Sequence, residues 1–300
     1  MESCLFPRPL CKGDTVAIVS PASVIDPALV EGAVAAIGSR GYRALVAGHA
    51  LGVSGSYSGS AADRLADLRG VLADPCVRAV LCSRGGYGCV HLLEGLSDAV
   101  DPADPRWIVG FSDVSALHAL WRSKGIVSVH GSMAKHLALF PDGDADNAAL
   151  WDILEGGRPQ YCWTSGAGSR QGEASGLLVG GNLAVIAGLV STPYDLFSPG
   201  TILFIEDIAE PIYKVERILW QLRLSGVLPA LAGLVVGQFT EYRPDRNYRD
   251  MEAMIYDMTA DYGYPVSFGA PVGHVDHNVP LLHGAVATLS VGDGMSRLAF

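Results

Sequence analysis

The sequence runs to 300 residues, 49% hydrophobic and 17% charged, and its 21 Lys and Arg against 31 Asp and Glu leave a net charge of −10. That length favours one large domain or two modest ones and buries about 70–75% of the unfolded chain's surface, so no disulfide or metal staple is needed. The apolar content excludes disorder as the main state, and an acidic chain without a Lys/Arg cluster argues against nucleic acid as a partner.

The opening MESCLFPRPLCKGD holds no apolar run long enough for a signal peptide, and no stretch approaches 18 apolar residues, so no membrane span is expected. Six cysteines (Cys4, Cys11, Cys76, Cys82, Cys89 and Cys162) form no C-x-x-C pair. They read as reduced thiols of a cytoplasmic protein. Residues 15–20 predict a strand turned by Pro21-Ala-Ser23, residues 27–40 a helix ending at Gly41, and residues 42–47 a second strand. A helix follows over 60–72, with Ala61, Leu65, Leu68 and Leu72 as its apolar stripe and Arg64, Asp67 and Arg69 elsewhere on its circumference. Strands at 77–82 and 107–111 each run into a turn and a helix, the second helix using Val114, Leu117 and Trp121 as its core face. This β-α-β rhythm implies an α/β fold with a parallel sheet covered by helices.

Residues 141–170 lose long apolar runs, which places a domain junction near residue 165, between residues 1–165 and 166–300. Beyond it, strands are predicted at 177–179, 201–205, 231–239, 284–291 and 297–300, with helices at 182–190 and 212–224.

Four segments can carry chemistry. In the first, an apolar strand enters a helix through Gly110-Phe-Ser112-Asp113. The turn resembles a nucleophile elbow without its second glycine, that place being Val114; Ser112 as a simple helix cap is the other reading. In the second, Ser83-Arg-Gly-Gly-Tyr-Gly88 follows a strand but has neither dinucleotide spacing nor a P-loop lysine. It is either a tight turn or a donor of backbone N–H groups to an oxyanion. In the third, Glu206-Asp207 closes an apolar strand, where carboxylates orient a histidine or cap the next helix. The fourth, Gly273-His274-Val-Asp276-His277, offers a general base, a surface histidine or metal ligands. His118, His130 and His136 read as structural, and His118 lies too far along its helix to serve Ser112.

With Gly13–Ala22 and Gly180-Gly-Asn-Leu183, these segments resemble, over nearly the whole chain, the LD-carboxypeptidase family of serine peptidases, which includes muramoyl-tetrapeptide carboxypeptidases and microcin C self-immunity hydrolases. The resemblance implies a Rossmann-like N-terminal domain, a smaller β-rich C-terminal domain that supplies the acid and base, and an active site between them. It implies Ser112 as nucleophile, Glu206 as orienting carboxylate and His274 as base, with the N–H groups of Asp113 and Gly86 as oxyanion hole. Arg84, Tyr87 and Asn182 are candidate substrate contacts. The implied substrate is a murein tetrapeptide, cleaved without cofactor or metal by a cytoplasmic homodimer. An aminoacyl-nucleotide of microcin C type is the alternative substrate, for which Trp163 is available to stack on an adenine. A non-catalytic small-molecule binding protein, or a metallohydrolase using His274, Asp276 and His277, would be built from the same residues.

Overall fold

The computed structural model describes residues 4–141 and 143–300. Residues 1–3, within the N-terminal stretch read for a leader, and residue 142, within the loop-rich 141–170 segment, lie outside the described residues. The chain separates into two compact units, residues 1–157 with 279–282 and residues 158–278 with 283–300.

The first unit opens with β1 (Thr15–Val19), buried at every position as expected of a parallel strand covered on both faces. Helix α1 (Pro27–Ser39) starts with the Asp26 carboxylate accepting from Ala28 N and proline at its first turn. The chain continues through β2 (Arg43–Val46), α2 (Ala61–Ala73), β3 (Val77–Cys82), α3 (Leu93–Leu96), β4 (Trp107–Gly110), α4 (Ser115–Ser123), β5 (Ser128–His130), α5 (Ala134–Leu139) and α6 (Ala145–Leu154). Strands β2, β1, β3, β4 and β5 pair in that order and in parallel.

Helix α2 begins with a reciprocal cap between Ser60 and Asp63. Its buried face differs from the one the apolar spacing predicts. Arg64, Asp67, Leu68 and Val71 are buried, whereas Ala61 is exposed and Leu65 and Leu72 are half-buried. The two charged residues go inside because partners wait there. Arg64 Nη1 donates to the carbonyls of Pro21 (2.5 Å) and Gly88 (3.0 Å), and Asp67 accepts from His49 N and His49 Nδ1.

The second unit comprises β6 (Gln160–Thr164), β7 (Gly172–Asn182), α7 (Leu183–Ala187), β8 (Ile202–Ile208), α8 (Ile212–Leu224), α9 (Val227–Ala230), β9 (Gly233–Thr240), α10 (Met251–Thr259) and β10 (Val266–Ser267). The chain then forms β11 (Leu281–His283), β12 (Val286–Gly292) and β13 (Met295–Ala299). Seven strands pair in the order β10-β9-β8-β7-β12-β13-β6, parallel from β10 to β7 and antiparallel from β7 to β6. Strand β11 instead completes the first sheet, whose full order is β11-β5-β4-β3-β1-β2.

Strand β7 is longer than predicted and β8 runs three residues further, so Glu206 and Asp207 lie within it rather than after it. A register shift against β9 falls between Ile205 and Asp207. Such a bulge re-aims the side chain it holds, here Glu206.

Candidate active site

In the first unit, β4 ends at Gly110 and the chain turns through a 3-10 segment, Ser112–Val114, into α4. Ser112 has φ +66°, the left-handed conformation that costs a non-glycine residue about 1–2 kcal/mol. The residues preceding the turn and α4, Phe111 and Val114, make no side-chain cap. Strain of this kind at a strand-to-helix turn is what a nucleophile elbow requires. Tight packing enforces it. A Cβ on Gly110 would lie 2.9 Å from Val114 Cγ2 and 3.2 Å from Cys82 Cβ, and one on Gly85 2.7 Å from Ser112 Cβ.

Behind the turn, His118 is fully buried. Its Nε2–H donates to the Gly110 carbonyl (2.8 Å), and the Ser128 hydroxyl donates to its Nδ1 (2.8 Å). Burial depresses its pKa to about 4, so it braces the turn as a neutral ring. The Asp113 carboxylate accepts from Cys89 N at 2.8 Å. Burial raises its pKa, opposed by the Cys89 hydrogen bonds and by the charge of Arg64.

The glycine-rich loop 83–88 lies beside this turn. Gly86 has φ +128°, and a Cβ there would sit 2.0 Å from Ser23 Oγ. Arg84, half-buried, donates to the Val24 carbonyl at 3.2 Å. Tyr87 is 55% exposed, its ring edge-on to His91 at 5.2 Å and tilted against Tyr57 at 6.2 Å.

The second unit holds the Glu206–His274 pair. Glu206 is fully buried, and His274 Nδ1 donates to its Oε2 at 2.8 Å; the imidazole side chain is 17% exposed. Burial works against the imidazolium, but the hydrogen bond and charge of Glu206, with the charges of Asp207 and Glu241, outweigh it and raise the His274 pKa above its ordinary value. The pair is cradled by glycines. A Cβ on Gly273 (φ +127°) would be 3.0 Å from Glu206 Oε2, and one on Gly237 would be 3.3 Å from Glu206 Cβ. Asn278 Oδ1 accepts from Gly273 N at 2.9 Å and fixes the loop that carries His274.

Asp207 turns the other way. It accepts from Ala184 N and Ile208 N (both 2.9 Å) and from Asn182 Nδ2 (2.8 Å), while burial, aided by the charge of Glu206, pushes its pKa up to about 6. Asn182 caps α7 by accepting from Val185 N. Asp276 and His277 are exposed, and among the described residues no group of three or more His, Cys, Asp or Glu is placed to hold a metal ion. Trp163 is not available for stacking, as the sequence suggested. It is 8% exposed on β6, and its indole donates to Ser267 Oγ and the Phe268 carbonyl.

The structure therefore joins Glu206 to His274 in one unit and gathers Ser112, Asp113 and the 83–88 loop in the other. Comparison with known proteins bears on the whole. Residues 16–131 match the model of the LD-carboxypeptidase N-terminal domain, and residues 175–289 that of the LD-carboxypeptidase C-terminal domain. The chain belongs to the LD-carboxypeptidase family. A probable murein peptide carboxypeptidase of Bacillus subtilis is 30% identical over 96% of this chain and 92% of its own length. The crystal structure of muramoyltetrapeptide carboxypeptidase from Oxalobacter formigenes matches with a TM-score of 0.85 at 28% identity, over 95% of this chain and 98% of that one. MccF in complex with glutamyl sulfamoyl guanosine matches with a TM-score of 0.86 over 99% and 98% of the two chains; at 19% identity it speaks for the fold alone.

This LD-carboxypeptidase is thus an enzyme, a serine carboxypeptidase. No helix among its described residues is long and apolar enough to cross a membrane. The residues that motif reading passed over are the supports. The Arg64 and Asn278 side chains bind backbone groups and the Cys89 N–H donates to the Asp113 carboxylate; no residue spacing marks such contacts.

Proposed function

We propose that this enzyme hydrolyses the amide between the L-centre of the diamino acid and the terminal D-alanine of a murein tetrapeptide, through an acyl-enzyme on Ser112. The reading is supported most by the His274–Glu206 pair, a buried carboxylate on Nδ1 of an imidazole that is itself 17% exposed. With its proton on Nδ1, the ring presents Nε2 as the basic nitrogen, and Glu206 stabilises the imidazolium that forms.

In this mechanism His274 takes the Ser112 proton as Oγ attacks the carbonyl carbon. The tetrahedral oxyanion is met by the N–H groups of Asp113 and Gly86, each such donor contributing about 3–4 kcal/mol of barrier lowering. Collapse breaks the C–N bond, His274 gives its proton to the leaving D-alanine nitrogen, and water then hydrolyses the ester by the same base. Arg84, in the glycine loop, is assigned the free carboxylate of the substrate, with Tyr87 of the same loop lining the site. The names of the relatives, murein peptide and muramoyltetrapeptide carboxypeptidases, support the substrate class.

The test is incubation with L-Ala-γ-D-Glu-meso-diaminopimelate-D-Ala and measurement of D-alanine, with Ser112→Ala alongside and an aminoacyl sulfamoyl adenylate as the competing substrate. D-Alanine release that vanishes in Ser112→Ala is the expected result. Release that persists in the variant removes Ser112 as nucleophile, and cleavage of the adenylate alone moves the substrate to the aminoacyl-nucleotide class.

A further inference from the structure

Arg64 is 3% exposed, deep on α2, yet its side chain meets no carboxylate within salt-bridge distance among the described residues. It is spent on loops. Nη1 donates to Pro21 O in the loop after β1 and to Gly88 O in the loop after β3, Nη2 lies 3.5 Å from His91 Nδ1, and the guanidinium sits 5.1 Å from the centre of the Tyr57 ring. An apolar residue of similar volume would fill the same place on α2 with less desolvation. The guanidinium therefore needs a reason beyond packing.

One peptide group supplies it. The carbonyl that Arg64 binds, Gly88 C=O, and the amide that Asp113 binds, Cys89 N–H, belong to the same peptide plane. That plane is gripped from both sides, by a helix residue on its oxygen and by the elbow on its nitrogen. Because a peptide is planar, fixing both ends fixes its orientation. The plane lies two residues after Gly86, whose positive φ and lack of room for a Cβ beside Ser23 leave the loop little slack. Arg64 holds the Ser23 loop as well, through Pro21 O. So one side chain ties together the loops after β1 and β3 and, through the shared peptide, the turn after β4.

We infer that Arg64 is a positioning residue for the reaction: its grip on the Gly88–Cys89 peptide and on Pro21 sets the Gly86 N–H against the Ser112–Asp113 turn. The inference rests on the assignment of Ser112 and of those N–H groups given above. It places the effect of Arg64 chiefly in kcat, because Arg84 keeps its own anchor on the Val24 carbonyl. It also explains why the buried carboxylate of Asp113 follows the nucleophile candidate, since Asp113 is the other hand on the same peptide.

The experiment uses the full-length chain with Arg64→Met, Arg64→Lys and Ser112→Ala. It measures D-alanine release, the rate of covalent labelling by a fluorophosphonate, and the thermal midpoint. Labelling reads the oxyanion site without a peptide, which a loss of fold alone would not move selectively. Misplacement by about an ångström costs on the order of 100-fold. Arg64→Met is therefore expected to lower kcat and the labelling rate together by about 10- to 100-fold, with KM within about twofold. Arg64→Lys, whose ammonium can still donate to the two carbonyls, recovers most of that loss. Unchanged kcat and labelling in both variants, a rise in KM at constant kcat, or a lysine variant as impaired as the methionine one would overturn the inference. Labelling that persists in Ser112→Ala would instead refute the assignment of Ser112, so the two failures are distinct.

Discussion

Replacing Gly85 by alanine isolates the packing on the nucleophile. The backbone there is outside the left-handed region, so a Cβ brings no conformational strain of its own. It would lie 2.7 Å from Ser112 Cβ and 2.8 Å from Ser112 Oγ, about 0.8 Å short of an ordinary contact of roughly 3.5 Å. Ser112 has little room to yield, being held at φ +66° between Gly110 and the buried Asp113. The overlap is therefore resolved by moving the serine by several tenths of an ångström and by overpacking that costs about 1–3 kcal/mol of stability. A displacement of that size at a reacting atom lowers the rate by roughly 10- to 100-fold. Steady-state D-alanine release and urea unfolding, measured on Gly85→Ala beside Gly70→Ala, check both quantities. A Cβ at Gly70, exposed in the last turn of α2, meets nothing within 4 Å, and that variant keeps full activity. A Gly85→Ala enzyme with wild-type kcat would refute the idea that the Ser112 oxygen must sit where the structure puts it.

Other expectations follow from the same geometry. Glu206→Gln removes the charge that raises the His274 pKa, so the acidic limb of the kcat/KM profile shifts to lower pH while the plateau falls by about 10²–10⁴-fold; a limb that stays in place counts against the pairing. Ser112→Gly and Ser112→Ala are both inactive, but the glycine variant is more stable by about 1 kcal/mol in urea unfolding, because it alone relieves the left-handed strain. His118 titrates near 4 when folded and near 6.5 when unfolded, so the unfolded chain binds the extra proton and stability is lost as pH falls from about 6.5 to 4. His118→Gln flattens that dependence by up to roughly 3 kcal/mol relative to the parent, read from urea midpoints across the interval. Asp207, raised by burial to about 6, works in the opposite sense in both proteins, and the difference between them cancels it.

Much of this was legible in the residues, and the illegible part has a common cause. Apolar runs at β1, β3 and β4 announce buried parallel strands, and the abrupt Gly110-Phe-Ser112 after one of them announces a tight turn. Where periodicity misled, backbone groups were the missing partners. Counting apolar residues on α2 turns Arg64 and Asp67 outward, because a sequence does not display the carbonyls of Pro21 and Gly88 or the amide of His49. The same blindness ended β8 at Ile205. Two acidic residues normally leave a sheet, yet here one is taken by His274 and the other by the amides that start α7. Trp163 reads as available because residues 141–170 lack long apolar runs and predict no strand; β6 forms there all the same, and its alternation sends the ring inward.

The place of β11 sets an order of events during synthesis. Its Leu281 and Leu282 belong to the first unit, yet they are made about 120 residues after that unit's main segment ends at Gly157. At roughly 5–20 residues per second, the nascent chain spends on the order of 10 s with the outer edge of β5 open. An unpaired strand edge is an invitation to any passing extended segment. Ribosome-bound intermediates in that window are the natural clients of chaperones, and shortening the chain by twenty residues from its end would leave every molecule permanently in that state.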